Sequence, residues 1–385
     1  MAFAPIHANI SNDSIHVALG GGDFYYFKYQ FLNSHPHIVL PCLVILVVAS
    51  VVGTAGNILI LLAVARTKEL RNVESFFIVN MACSDLYVTL IADPMNIVAK
   101  LEGEPFFNSV PFLCQIVGSI CTISCVGSLM SIGALSLNRY IHICHSEAYP
   151  KIFTRRNSIA ICVALYFIGL GLVLINIAGI GAHTFDRRAV QCIWDRLATY
   201  PYTVVFSIVL VWIPLVLIGV YFCRMYTYVS NNRRKIEQQT SVLTRKIISR
   251  NRRARHHLAK ALFIIYVVFS LCWLPYALLI VIDQHNNFPH EIHVYITTLA
   301  HLHPSLNWIV YYSTNRKFEI AFKKILRCGK CLTLDIDSGL SGNEASNVNN
   351  NKTIRFLELR RLSFHPAKAE RIDNVTTPLE RHTVA

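Results

Sequence analysis

Charge is what this sequence has least of: Asp, Glu, Lys and Arg together make up 15% of its residues, against about 25% in an ordinary soluble domain. Charge is absent altogether from 38–65, 105–138, 159–181, 197–223, 261–282 and 292–315, and the stretch 75–92 carries one charge, Asp85. Each run supplies the roughly 20 apolar residues that a helix needs to cross about 30 Å of hydrocarbon. Seven buried helices of a water-soluble protein would keep polar faces, and these runs do not. The fold expected is an all-α membrane protein, a bundle of seven transmembrane helices.

Basic residues are scarce on one side of that bundle. With the amino terminus outside, all but five of the 36 Lys and Arg fall in 66–74, 139–158, 224–260 and the segment from 316 onward; the five are Lys28, Lys100, Arg187, Arg188 and Arg196. That asymmetry places the basic segments in the cytoplasm, with residues 1–37 as an extracellular segment. The net charge of +14 then reads as attraction to the inner leaflet and to acidic cytosolic partners. Basic residues split among membrane-bounded loops offer nucleic acid no continuous surface. The start, "MAFAPIHANISNDS", has neither the charged beginning nor the apolar core of a cleavable signal, so the first span is expected to direct insertion. Asn9 and Asn12 lie in N-x-S sequons on the outer side and are expected glycan acceptors, whereas the sequons at Asn351 and Asn374 lie inside.

Repeats of solenoid length are missing, as are inverted halves with matched broken helices. No catalytic triad, phosphate loop or metalloenzyme motif is present, so no enzyme is expected. The twelve cysteines make no disulfide framework, because most lie within spans, where thiols pack as small apolar groups. Cys114 and Cys192 differ: both face the oxidising side, where a bond is chemically permitted. After the seventh span, "NRKFEIAFKKIL" sets Phe318, Ile320, Phe322 and Ile325 at helical spacing opposite Lys317, Lys323 and Lys324. That pattern predicts a short amphipathic helix in the membrane interface, closing a domain of 38–326. Cys328 and Cys331 follow, placed for palmitoylation. The remainder, 327–385, has the polar composition of a disordered cytoplasmic tail.

Within the apolar runs the polar residues are the informative ones. Asp85 stands as the one formal charge deep in a span, which costs several kcal/mol unless it is paired, protonated or hydrated. Its candidate partners are Asn57, Ser128 and Asn307, each in a different span. Such oxygens suit a hard cation such as sodium or a hydrated switch; hydrogen bonding that simply joins the helices is the alternative. Pro214 and Pro275 each remove a backbone hydrogen bond and invite a kink at mid-depth. A kinked sixth helix can pivot, with Trp273 at the base of an outer cavity or filling the core.

The chain from about 38 to 326 resembles the class A, rhodopsin-like G-protein-coupled receptors. The motifs that carry the resemblance are "GN" at 56–57, "NMACSD" at 80–85, Cys114 with Cys192, "NRY" at 138–140, "FSLCWLPY" at 269–276 and "NWIVY" at 307–311. It implies a polar network of Asn57, Asp85, Ser128 and Asn307 that can bind sodium, and a disulfide between Cys114 and Cys192. It also implies an aromatic pair, Phe269 and Trp273, that answers to ligand above Pro275. Asn138, Arg139, Tyr140 and Tyr311 would form the G-protein-coupling and activation face. Within the family, "NRYIHICHSEAYPKIF" and "SLNWIVY" are most similar to melatonin receptors and their orphan relatives. The resemblance points to a ligand pocket of Cys121, Thr122, Cys125, Asn176 and Tyr276. No cofactor other than that sodium ion is implied.

Departures from the family pattern shape the expectation. Asn138 replaces the usual acid before the arginine, and Arg255 lies where many members have an acidic partner for it. Trp308 replaces the proline of the seventh-helix motif, His303 an asparagine, Tyr166 a tryptophan and Phe222 a tyrosine. Arg196 stands where melatonin receptors place Gln, and Leu210 where they place His. Cys121 stands where amine receptors carry their Asp, which speaks against a biogenic amine, and His301 where an opsin carries its retinal lysine. The expected function is a plasma-membrane receptor that couples an extracellular small molecule, lipid or peptide to a heterotrimeric G protein. Arrestin-like proteins would meet Ser338, Ser341, Thr353 and Ser363 once phosphorylated. The alternatives are a receptor-like adhesion or scaffold protein without coupling and, further off, a channel or transporter. Arg139 is expected at the cytoplasmic lip, reaching water with no acid to neutralise it, and so a loosely latched inactive state.

Overall fold

The computed structural model describes residues 27–110, 112–239 and 242–327, and for Leu210 and 232–259 the backbone alone. Asn9, Asn12, Cys328, Cys331, the tail and the Arg255 side chain lie outside the described residues. Seven long helices follow in order: α1 (Pro36–Arg66), α2 (Val73–Glu102), α3 (Leu113–Cys144), α4 (Arg155–Ile177), α5, α6 (Val242–Ile282) and α7 (His290–Thr314). Helix α5 begins as Tyr200–Ser207 and resumes after a π turn as Ile213–Gln239. α8 (Arg316–Arg327) follows, and a hairpin of β1 (His183–Asp186) and β2 (Gln191–Trp194) lies between α4 and α5.

Among the described residues, six helices are long and apolar enough to cross a membrane. The seventh expected span, α7, has the length, but four histidines lower its hydropathy. It packs against α1 and α6 with His303, Ser305 and Asn307 buried, so its polarity faces protein. Outward-facing residues are large and apolar: Val51 is 64% exposed, Phe167 66% and Leu271 66%. That surface needs hydrocarbon around it. The interior is filled by Phe77, Ile132, Phe222, Phe269, Tyr311 and Phe318.

Several boundaries differ from those read in the sequence. The run 105–138 divides into a short helix, Glu104–Ser109, and α3, which continues past Arg139 to Cys144. Helix α2 runs on to Glu102 rather than ending near 92, so Asp93 and Lys100 are buried in it as well as Asp85. The expectation of a single deep charge is thereby corrected. The amino-terminal segment also reaches the bundle, because Phe31 buries itself against Ile38, Val39 and Val294. In α8, Phe318 and Phe322 are buried against the bundle with Ala321, whereas Ile320 is 55% exposed, so it does not join the inner stripe.

Two π turns explain the altered reading of α2 and α5. Val88–Ala92 precedes Pro94 by one residue, and Ile208–Trp212 precedes Pro214 by one residue. A proline ring collides with the carbonyl four residues back and gives no hydrogen bond to it. Here those carbonyls belong to Leu90 and Leu210, inside the π turns. The wider turn accommodates both defects and adds one residue, rotating the downstream face by about 100°. In α2 that rotation carries Asp93, Asn96 and Lys100 to the interior, where all three are buried.

Candidate functional site

At mid-depth the Asp85 carboxylate accepts a hydrogen bond at each oxygen. Ser128 Oγ donates to Oδ1 at 2.7 Å and Asn307 Nδ2 to Oδ2 at 2.7 Å. Asn57, expected as a third partner, instead donates through Nδ2 to the carbonyls of Gly53 and Pro304, each at 3.0 Å. The cause is the close approach of α7 to α1. A Cβ on Gly53 would lie 2.6 Å from Ser305 Oγ, and one on Gly56 would lie 2.0 Å from Trp308 Cδ1. The α7 backbone therefore lies within reach of the Asn57 amide. The substitution of tryptophan for proline at 308 is accommodated by the bare backbone of Gly56.

His303 connects this network to the aromatic residues above it. Asn307 Nδ2 lies 3.3 Å from His303 Nε2, which can accept from it. The His303 ring meets Phe269 edge-on at 4.7 Å between centroids, and Phe269 stacks on Trp273 at 5.9 Å. Trp273 in turn touches Tyr276. Asp85, Asn307, His303, Phe269 and Trp273 thus form one contiguous path.

At the end of α3 away from the Cys114–Cys192 disulfide, Arg139 does not extend to water. It is 6% exposed and forms an ion pair with Glu74 in the first turn of α2. This corrects the expectation of an unneutralised arginine. Asn138 is buried, with its amide 3.5 Å from the Tyr149 hydroxyl. Tyr140 stacks on Tyr221 at 5.5 Å, while Phe222 points to Phe263 and Tyr266. Tyr311 is fully buried beneath Phe318. Glu74 was overlooked in the sequence, although "NVES" marks the helix start: Asn72 and Ser75 form a reciprocal cap there and leave Glu74 one residue inside.

On the outer side, Cys114 and Cys192 form the disulfide that ties β2 to α3. The hairpin inserts His183 into the expected pocket. Thr122 Oγ1 donates to the Gly118 carbonyl at 3.0 Å and accepts from His183 Nε2 at 3.0 Å, while Ser119 Oγ lies 3.3 Å from Nδ1. A Cβ on Gly118 would come within 3.0 Å of the same ring. Burial pushes the His183 imidazole down to about 4, so it sits there neutral. Asn176 is buried beside Gly181 with neither side-chain polar atom hydrogen-bonded. Cys121 and Cys125 lie 3.9 Å apart at their sulfurs. Of the five expected pocket residues, Thr122 meets the hairpin and Tyr276 meets Trp273.

Arg196 has a structural role in that roof. Buried, it donates to the Asp283 carbonyl at 2.7 Å and pairs with the Asp283 carboxylate at 3.4 Å, which also accepts from His293 at 2.9 Å. Burial raises the Asp283 carboxyl, but donors from the Asn287 and Phe288 amides, His293 and Arg196 outweigh it and hold it below its ordinary range. Among the described residues, no group of three or more His, Cys, Asp and Glu side chains is placed to hold a metal ion.

This combination of bundle, disulfide and buried network has known counterparts. The profile of the 7 transmembrane receptor (rhodopsin family) matches residues 56–311. The chain belongs to that family. It is a G-protein-coupled receptor, and the family and fold are those of receptors rather than enzymes. It is 27% identical over 288 residues to melatonin receptor type 1B-B of Danio rerio, covering 73% of this chain and 80% of the relative. To melatonin receptor type 1B of Homo sapiens it is 28% identical over 299 residues, covering 76% and 80%. The fold is similar to that of squid rhodopsin, with a TM-score of 0.66 and 20% identity over 78% of this chain and 89% of that one. A rhodopsin-family receptor is a multi-pass protein of the cell membrane, and this chain is related to the melatonin receptors within it.

Proposed function

We propose that this receptor converts occupancy of the space under the β1–β2 hairpin into release of Arg139 from Glu74, which opens the cytoplasmic face to a heterotrimeric G protein. The observation that carries this reading is the unbroken path from Trp273 through Phe269, His303 and Asn307 to Asp85. Packed elements of this kind move between discrete arrangements, and a ligand shifts their balance only by its differential affinity for the two states. The amino terminus is extracellular, as the distribution of basic residues favours. Arrestin-like proteins would engage the phosphorylated tail, and α8, with Lys323 and Lys324 exposed, would rest on the inner leaflet.

The Asp85 network suits a sodium ion. Besides the carboxylate and the Ser128 hydroxyl, the amide oxygens of Asn57 and Asn307 are buried without a hydrogen-bond partner, giving an all-oxygen donor set of the kind a hard cation prefers. Asp85, Ser128, Asn57 and Asn307 would hold the ion, which would supply a positive charge against the carboxylate. The test of the receptor reading is G-protein nucleotide exchange in membranes carrying the full chain, with a ligand library as stimulus. Arg139→Ala should abolish exchange at equal surface expression; exchange that persists in that variant would sink the reading.

A further inference from the structure

Three helices meet around a space with room for a single water-sized occupant. Met95 and Asn96 reach it from α2, just after the Val88–Ala92 π turn. Val117 and Cys121, four residues apart, reach it from one face of α3, and His301 from α7. Cys192 also lines it, but its sulfur is already bonded to Cys114. This lining differs from the all-oxygen set around Asp85. It carries an imidazole, a thiol and a thioether, and among its side chains only Asn96 bears oxygen. Thiolate and thioether sulfur select copper(I), and imidazole suits copper too, whereas carboxylate and carbonyl oxygens suit hard cations. His301 and Cys121 make two such donors; the thioether of Met95 makes three.

The histidine is already oriented as a metal ligand. Its Nδ1 donates to Asp93 Oδ1 at 2.7 Å, which leaves the lone pair on Nε2. A carboxylate on the far nitrogen is the common partner of a ligating imidazole, because it fixes the tautomer and the ring plane and raises ligand basicity. Nε2 faces Asn96, whose Nδ2 donates to it at 3.1 Å. An entering ion takes that lone pair in exchange for one neutral hydrogen bond. Charge favours a monovalent ion. Asp93 is buried, and Lys100 offsets its charge. Cys121 gives up its thiol proton on metal binding, so that thiolate and copper(I) together are neutral. A divalent ion would leave a net charge within the span, which is costly.

We propose that Met95 of α2, Cys121 of α3 and His301 of α7 form a binding site for a soft monovalent cation, copper(I), with Asp93 as the residue that positions the imidazole. The metal keeps its oxidation state, and the thiol proton passes to solvent. An ion here ties together the three helices whose Asp85, Ser128 and Asn307 meet by hydrogen bonds deeper in the bundle, so occupancy favours their packed arrangement. The rival site is the thiol pair of Cys121 and Cys125, with sulfurs 3.9 Å apart, but Cys125 does not line the cavity. The proposal goes beyond the receptor reading and does not depend on it.

Copper(I), supplied without oxygen as its bicinchoninate complex, tests the site on the purified full chain in lipid nanodiscs, without G protein. Copper retained per chain against excess bicinchoninate is counted by plasma mass spectrometry, and each variant is read as a difference from the native chain, so that thiols elsewhere cancel. Met95→Leu, Cys121→Ser and His301→Phe should each retain about one copper fewer. Cys125→Ser should retain the native count. Met95→Leu conserves volume and is well tolerated in a packed core, which keeps the test decisive if either of the other two does not fold. Because the ion binds the folded state, copper should also raise the thermal midpoint of the native chain, and by less in Met95→Leu. An equal count in the native chain and Met95→Leu overturns the proposal. So does a loss in Cys125→Ser as large as that in Cys121→Ser, which would assign the ion to the thiol pair.

Discussion

The indole of Trp308 lies over the bare backbone of Gly56, where an added Cβ would come within 2.0 Å of Cδ1. The contact joins α7 to α1 at the level where Asn57 reaches the Pro304 carbonyl. It also gives a residue-level account of a seventh-helix motif with tryptophan in place of proline.

Gly56→Ala should therefore separate α7 from α1. Overpacking of this kind costs about 1–3 kcal/mol, to be seen as a lower thermal midpoint in detergent and reduced surface expression. Combining it with Trp308→Ala should recover much of the loss, since contacting residues are not additive. A double variant no more stable than Gly56→Ala alone would show that the contact is not the cause.

In the proposed mechanism the Arg139–Glu74 pair is the latch of the inactive state. Glu74→Gln leaves a buried guanidinium without its counter-charge, a strongly destabilising change, and the arrangement that frees Arg139 should gain. Ligand-free nucleotide exchange should rise by about tenfold, equivalent to roughly 1.4 kcal/mol. Asn138→Asp, which adds a second acid beside the arginine, should lower it. Unchanged basal exchange in Glu74→Gln is the outcome that removes the latch from the mechanism.

The His183 plug should respond to acid. Its imidazole is held at about 4 by burial against about 6.5 when exposed. The closed hairpin is thus fully favoured above pH 6.5 and loses stability as pH falls towards 4, because the opened form binds the proton. Hydrogen–deuterium exchange of β1, divided by the intrinsic amide exchange rate at each pH, should accelerate between pH 7 and pH 5. In His183→Gln that acceleration should disappear; its persistence would mean that another group governs the hairpin.

Sodium should act through Asp85. Exchanging sodium for choline at constant ionic strength should raise basal nucleotide exchange in the native chain, by the roughly 5-fold or more typical of coupled sites. Asp85→Asn should be insensitive to the exchange. An equal response in both would place the effect elsewhere.

Much of the architecture was legible because hydrocarbon imposes it. Uncharged runs of sufficient length, basic residues confined to one side and the six short motifs are one-dimensional signals, and they led to the right family and bundle. The structure joins Ser128 and Asn307 to Asp85 by hydrogen bonds, and Cys114 to Cys192 by a disulfide. Asp93 and Lys100 escaped because the span was ended before Asp93, although a charge facing protein rather than lipid can continue it. Asn57 was misdirected because its partner depends on how closely two helices approach. Glu74 was passed over because nothing in its own span reveals which helix end it will face.

What the sequence determined alone was the number of helices and the chemistry each carries, since the membrane solvent acts on every residue locally. What the tertiary structure decided was which charges meet. The pairing of Arg139 with Glu74, the rotation of Asp93 onto His301 after a π turn, and the seating of Trp308 on Gly56 depend on rotations and separations between helices. Those are set by collective packing, which no single stretch of the chain contains.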